Sequence, residues 1–369
     1  MKKVLILTTS TGQGHNQAAN SLIDTFTNSG YECTRHDFLA SNSKFLNDLI
    51  VIGYELGAST FPKIYGIGYK LTNFKYIQSF LSIVFAKTAK KINARIENLQ
   101  PDIIIATHPF AVSILERLKE GGLSIPFISV VTDFKAHYTY IGKNVDSYIT
   151  GSEFTKQSLI KHGINSDIIY PIGIPIRESF YNLDLDIPKL KNDNYFNLLL
   201  MSGSMGLKNI SYVLDELLNN PNKLRITVVC GNNEKLKNNL LKKCQSTYPN
   251  KKLHILGFSN DIASLMEYSD VIISKPGGLT VTEAIAKNLP LIIPFVIPGQ
   301  EMENTDFLVS SGYAYYVKDI YKINETVNKL IDDPRLLQAM RDKLKLLSKS
   351  YSIRKIVSIA DDLIYKNKN

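Results

Sequence analysis

"VLILTTSTGQGHNQAANSLIDTFTNSG", residues 4–30, changes its periodicity at a pair of glycines. Val4-Leu5-Ile6-Leu7 is a continuous apolar run of the kind a strand buried on both faces requires. Beyond it Ala18, Ala19, Leu22, Ile23 and Phe26 recur at helical spacing until Gly30 ends the pattern. Gly12 and Gly14 fill the seam, with His15 beside them. A strand, a glycine turn and a helix in that order predict the opening of a parallel α/β sheet. Ligands bind such sheets at the carboxyl ends of the strands, so an ionisable imidazole at this turn is a candidate site residue.

The same alternation continues along the chain. Strands are predicted at 4–8, 103–107, 127–131, 147–150 and 168–175, and again at 197–201, 225–229, 253–256, 270–273 and 291–295. Helical patterns separate most of them, which argues for parallel sheets with crossover helices. Residues 178–195, "ESFYNLDLDIPKLKNDNY", break the rhythm and read as a linker. The expected architecture is α/β, with two doubly wound Rossmann-like domains facing one another across a cleft, at 1–177 and 178–352.

A chain of 369 residues exceeds one ordinary core, and 44% hydrophobic with 21% charged residues describes a globular protein. Cys33, Cys230 and Cys244 have no paired spacing, so neither a disulfide framework nor a zinc site is indicated, and a reduced cytoplasmic setting fits. "MKKVLILTTS" has too short an apolar run for a signal sequence, and no stretch of 18 uncharged apolar residues exists to span a bilayer.

The formal charge of +9 concentrates between Lys44 and Arg95, where eight Lys/Arg face two acids among nine Phe/Tyr. Apolar residues there are too numerous for a solvated loop and too interrupted for a membrane span. One reading is an interfacial surface on an anionic membrane. Phe45, Phe61, Tyr65, Tyr69, Phe74 and Phe80 would enter the headgroup boundary, and Lys63, Lys70, Lys75, Lys87, Lys90 and Lys91 would meet anionic lipid. The other reading is amphipathic helices packed on the first domain with solvated lysines. Nucleic acid calls for Lys/Arg clusters with stacking aromatics on one sheet face, and none is expected as a partner.

Three glycine-bearing turns follow predicted strands: the first at 12–15, then "SGSMG" at 202–206 and "SKPGGLTVTEA" at 274–284. A helix starting at such a turn offers free amides and a positive dipole end, which suit phosphate. In the third, Pro276 fixes the entry, Gly277 and Gly278 uncover the amides, and Thr280 caps or donates. Glu283 lies on the same end of that helix, placed either to accept ribose hydroxyls or to complement the dipole. No Walker loop is present. Asp184-Leu185-Asp186 falls in the linker, so no diphosphate-bridging metal is expected. In "PGQEMEN" (298–304), Gln300, Glu301 and Asn304 are polar groups of the kind a sugar requires. His108, and then Asp133, His137 and Tyr140 in "VTDFKAHYTY", follow strands of the first half and suggest an acceptor-side catalytic pocket.

Taken together, "GQGHNQAA", "VTDF", "CGNNEKL", "LGF", "SKPGGLTVTEA" and "PGQEMEN" resemble glycosyltransferase family 28, in particular bacterial diacylglycerol glucosyltransferases and plant monogalactosyldiacylglycerol synthases. The resemblance implies a GT-B fold, a UDP-sugar donor, inversion to a β-glycoside, and no cofactor or required metal. It also implies that the last helix, Ile353 to Tyr365, crosses back onto the first domain. Uracil would lie against Gly257-Phe258 and near Gly231 and Asn232. Gly277, Gly278, Leu279 and Thr280 would meet the diphosphate and Glu283 the ribose, while Gln300, Glu301 and Asn304 would serve the hexose. Gly14 belongs to the first turn, and Gly203, Ser204 and Gly206 to a second phosphate-side turn. His15 falls on the family's glycine-loop histidine.

Two departures stand out: "SGSMG" replaces a more glycine-rich turn, and Tyr140 stands where relatives often carry tryptophan. His15 is the expected general base, because an imidazole titrates near neutrality. Asp133 is either the rival base or the group fixing a tautomer. The expected activity is transfer of a hexose, glucose first, to diacylglycerol by an enzyme peripheral on the inner face of the cell membrane. UDP-galactose, or a UDP-N-acetylglucosamine enzyme of the peptidoglycan type, are the alternatives.

Overall fold

The computed structural model describes residues 1–10, 13–42, 62–74, 76–182, 193–201, 209–243 and 248–368. Chain contacts divide it into two compact units. The first holds Met1–Glu178, Ile297–Glu303 and Ser350–Asn369, and the second holds Ser179–Val296 and Asn304–Lys349.

The first unit runs β1 (Lys3–Thr8), α1 (Gln13–Asn28), β2 (Glu32–Asp37), α2 (Phe38–Asn42), α3 (Pro62–Leu71), α4 (Ile77–Val84) and α5 (Ala86–Leu99). It continues through β3 (Ile103–Ala106), α6 (Pro109–Glu120), β4 (Phe127–Val130), β5 (Ser147–Ile149), α7 (Glu153–Lys161) and β6 (Ile169–Tyr170). Its strands form a parallel sheet in the order β2-β1-β3-β4-β5-β6. The strand order reverses between β1 and β3, so the loops leaving those strands and β4 meet at one edge. Leu5, Leu7, Ile104 and Phe127 are wholly buried under Phe38, Phe85 and Ile92, as continuous apolar strands covered by helices demand.

The second unit follows with β7 (Phe196–Met201), α8 (Asn209–Leu218), β8 (Leu224–Val229), α9 (Glu234–Lys243), β9 (Lys251–Leu256), α10 (Ile262–Tyr268) and β10 (Val271–Ile273). Then come α11 (Gly278–Ala286), β11 (Leu291–Ile293), α12 (Gln300–Ser310, which counts with the first unit as far as Glu303), β12 (Ala314–Tyr316), α13 (Ile323–Asp332) and α14 (Pro334–Ser348). The sheet is parallel in the order β12-β11-β10-β7-β8-β9, with its reversal between β7 and β10. The final helix, α15 (Arg354–Lys368), belongs to the first unit: Asp361 accepts from Tyr31 Oη at 2.6 Å, and Lys368 pairs with Asp102 at 2.7 Å.

Two strands escape the apolar pattern. β2 reads "ECTRHD" and β12 "AYY", and both are edge strands, with one neighbour and no need for a continuous apolar run. The run at 168–175 shrinks to β6, because Pro171 and Pro175 have no N–H to donate to a ladder.

Candidate active site

His15 sits in the first turn of α1, beyond β1. Its Nδ1–H donates to the carbonyl of Thr107, the residue after β3, at 2.7 Å. A carbonyl can only accept, so this bond fixes the tautomer and leaves Nε2 as the basic nitrogen. Nε2 has no hydrogen-bond partner among the described residues.

A line of hydroxyls continues from the ring. Thr132 Oγ1 lies 3.3 Å from His15 Nδ1 and 2.8 Å from Tyr140 Oη, which donates to Asp133 Oδ2 at 3.5 Å. Asp133 is only 6% exposed, so its carboxylate needs such donors. Burial drives the Tyr140 hydroxyl well above its ordinary pKa, and the Asp133 charge adds to it, so Tyr140 remains a donor. Burial also pulls His15 from 6.5 to about 4, the Thr107 carbonyl opposing it. The expectation that this imidazole titrates near neutrality therefore fails: its surroundings do not hydrate a cation.

The other two histidines have local duties. His108 Nδ1 accepts from Phe110 N–H at 3.1 Å, capping α6, while its ring meets His15 edge-on at 4.4 Å. His137 Nδ1 accepts from Thr139 N–H, and its Nε2–H donates to the Tyr69 carbonyl at 3.2 Å. Burial lowers the pKa of both.

Ile297–Glu303 brings polar groups to the same unit. Gln300 Nε2 donates to Asp133 Oδ1. Glu301 Oε2 accepts from Ile297 N–H at 2.9 Å, so this oxygen braces its own loop. Glu303, which the sequence reading passed over, accepts from Tyr69 Oη and Lys135 Nζ, both at 2.9 Å. Tyr69 therefore does not belong to an outward aromatic face. Its ring packs on Gly299, where an added Cβ would lie 2.9 Å from Tyr69 Cγ and the φ of +106° already favours glycine.

In the second unit the turn after β10 keeps its amides open. Gly277 is the N-cap of α11 without any side-chain cap, and a Cβ built there would meet nothing within 4 Å. The first amides of α11, from Gly278 to Thr280, have no earlier helical carbonyl to bond. Thr280 and Glu283 share one helix face, three residues apart. Ser274, the residue after β10, holds a buried hydroxyl with no partner among the described residues. Asn304 Nδ2 donates to the Pro276 carbonyl at 3.0 Å and so steadies the turn. Gly231 takes a φ of +60° after β8, Asn232 beside it is exposed, and Phe258 is 63% exposed just past β9. Gly12, Gly203, Ser204, Gly206 and Asp184–Asp186 lie outside the described residues.

The described residues of α3, α4 and the connection between them expose several large apolar side chains. Leu71 and Tyr76 are each 71% exposed and Ile83 72%, with Ile67, Phe74 and Phe80 also open. Lys70, Lys87, Lys90 and Lys91 are exposed nearby in sequence. Phe45, Phe61, Lys75 and the side chains of Lys63 and Tyr65 lie outside the described residues. Among the described residues no helix is long and apolar enough to cross a membrane.

Comparison with known structures defines the class first. Acinetobacter baumannii MurG aligns over 98% of this chain and 100% of its own, with a TM-score of 0.65 at 14% identity. An Anabaena protein, Alr3699/HepE, solved in complex with UDP, aligns over 98% and 99% with a TM-score of 0.59 at 16% identity. The fold is that of a GT-B glycosyltransferase. Residues 15–176 match the monogalactosyldiacylglycerol (MGDG) synthase family, and residues 197–357 match the glycosyltransferase family 28 C-terminal domain. A processive diacylglycerol beta-glucosyltransferase of Bacillus pumilus is 32% identical over 100% of this chain and 97% of its own. Its namesake in Bacillus subtilis is 31% identical over 93% and 91%. The chain belongs to glycosyltransferase family 28, among its diacylglycerol glycosyltransferases.

Proposed function

We propose that the enzyme transfers glucose from UDP-glucose to diacylglycerol with inversion, giving a β-glucosyldiacylglycerol. One observation carries the chemistry: the fixed tautomer of His15, with its line of hydroxyls ending at Asp133 beside Gln300. The substrates rest on likeness to the Bacillus glucosyltransferases. The acceptor hydroxyl gives its proton to His15 Nε2 as its oxygen attacks the anomeric carbon from the face opposite UDP. The bond to UDP breaks at the same centre, which inverts it.

A ring held near pKa 4 resists becoming imidazolium, and the polarisable line toward the Asp133 charge offsets part of that cost. The same low value favours a second reading, in which Asp133 takes the proton and His15 orients the acceptor. UDP would leave toward the amides of Gly278 to Thr280, where the α11 dipole meets its charge without a metal. Glu283 would hold the ribose, Phe258 and Gly231 the uracil, and Gln300 the hexose. The acceptor side and the hexose contact of Gln300 would lie in the first unit, and the UDP contacts in the second.

Diacylglycerol stays in the bilayer, so the enzyme must come to it. The exposed apolar side chains of α3 and α4, with the lysines, fit the headgroup boundary of an anionic membrane, each lysine contributing about 1 kcal/mol. The free thiols of Cys33 and Cys230 fit a cytoplasmic, inner-face position. Purified enzyme offered UDP-glucose, UDP-galactose or UDP-N-acetylglucosamine with diacylglycerol vesicles, with and without EDTA, tests the reading. Glucose should be transferred fastest in both conditions. Preference for another sugar, or loss of transfer in EDTA, would replace the corresponding part.

A further inference from the structure

We infer that Asn73 and Gln78 are positioning residues for the transfer, linking the exposed helices α3 and α4 to Asp133 and His15 through the turn His137–Thr139. This rests on the reading of those helices as membrane-facing and of the Asp133 site as catalytic.

Three consecutive residues of the turn are each tied to the helical pair. His137 Nε2–H donates to the Tyr69 carbonyl at 3.2 Å. Tyr138 N–H donates to Asn73 Oδ1 at 3.1 Å. The Thr139 carbonyl accepts from Gln78 Nε2 at 2.5 Å. Tyr69 lies in the last turn of α3, Asn73 in the connection and Gln78 in the first turn of α4. The turn is stiff, because Tyr140 N–H closes back on the His137 carbonyl at 2.9 Å.

Tyr140 is the next residue, and its hydroxyl stands between Thr132 and Asp133. Gln78 cannot rotate freely, since its Oε1 accepts from Ser113 of α6. Tyr69 adds a second route, holding Glu303 three residues beyond Gln300.

The same short segment also carries the open apolar side chains, among them Leu71, Tyr76, Phe80 and Ile83. The segment that holds the turn through Tyr69, Asn73 and Gln78 is thus the segment that exposes these apolar side chains. A loop whose backbone bonds run to elements that are only half covered is ordered to the degree those elements are ordered. Seating these side chains in lipid would steady the turn, and with it Tyr140 and Asp133.

The test uses the full chain with Asn73→Ala, Gln78→Ala and Asn73→Asp, the last keeping an oxygen to accept from Tyr138. Transfer is measured on a soluble short-chain diacylglycerol and on phosphatidylglycerol vesicles containing diacylglycerol. Hydrogen exchange is followed in residues 131–146 with and without vesicles, and thermal melts accompany each variant.

The two alanine variants should lose roughly 10- to 100-fold in kcat on both acceptors, the cost of a misplaced catalytic group. KM for UDP-glucose and vesicle co-sedimentation should stay as in the wild type, and Asn73→Asp should regain most of the kcat. Vesicles should slow exchange at 131–146 in the wild type and in Asn73→Asp but not in the alanine variants. Wild-type kcat in both alanine variants, or no recovery in Asn73→Asp, would overturn the inference.

Gln78→Ala reads the link independently where Asn73→Ala fails to fold. A wild type that ignores vesicles, while Asn73→Ala still slows the soluble reaction, would instead remove the membrane reading alone. A wild type inactive on both acceptors would remove the transfer reading, and exchange at 131–146 in the variants would still decide the coupling.

Discussion

His15 should protonate only near pH 4, and this makes stability depend on pH in a calculable way. Burial lowers the ring from 6.5 to about 4, with the Thr107 carbonyl opposing the shift. A basic group whose folded pKa is depressed binds its proton first in the unfolded chain. Its contribution is therefore complete above pH 6.5 and is lost as pH falls toward 4. At 1.36 kcal/mol per pKa unit, the step from pH 7 to pH 5 removes at most about 2 kcal/mol. That figure is a ceiling, because part of the residue reaches solvent. His108 and His137 shift in the same direction and add to the slope. Urea unfolding at both pH values, for the wild type and His15→Ala, isolates the His15 share as the difference of the two slopes. Titration of the histidine ring protons by NMR gives its midpoint directly. A midpoint near 6.5, or an unchanged slope in His15→Ala, would refute a desolvated His15.

His15→Ala should also lower kcat by roughly 10²–10⁴ while UDP affinity, read by calorimetry, stays near wild type; unchanged turnover would remove His15 from proton transfer. Gly277→Ala should melt as the wild type does, because its added methyl meets no protein atom within 4 Å, yet KM for UDP-glucose should rise as the methyl crowds the α11 amides. An unchanged KM would move the diphosphate elsewhere. Replacing Lys70, Lys87 and Lys90 by Glu should weaken co-sedimentation with anionic vesicles, as should high salt. Equal binding to neutral vesicles would count against the electrostatic part of the surface.

The central strands and the helices after β1 and β10 were readable because burial on both faces forces an unbroken apolar run. The edges β2 and β12 were not, since a strand with one neighbour tolerates "ECTRHD". The positions of His15, Asp133 and Gln300 were readable as polar residues just past strands. Their bonds were not: Thr107 joins His15 through a backbone carbonyl, which any residue could supply. Thr132 and Glu303 sat unnoticed inside quoted motifs, because only the fold brings Thr132 to Tyr140 and Glu303 to Tyr69. Tyr69 looked like its aromatic neighbours, and only the missing side chain at Gly299 gives its ring a place to turn inward. The low pKa of His15 had no sequence signal, since desolvation depends on everything packed around the ring.

The most direct measurement is the structure of the lipid made from UDP-glucose and diacylglycerol, with the anomeric linkage assigned by NMR, in the wild type and in His15→Ala/Asp133→Asn. The wild type should yield the β-glucoside, the inverted product of an α-linked donor, and the double variant should yield almost none. An α-glucoside, hydrolysis of UDP-glucose with no glycolipid, or undiminished synthesis by the double variant would contradict the account.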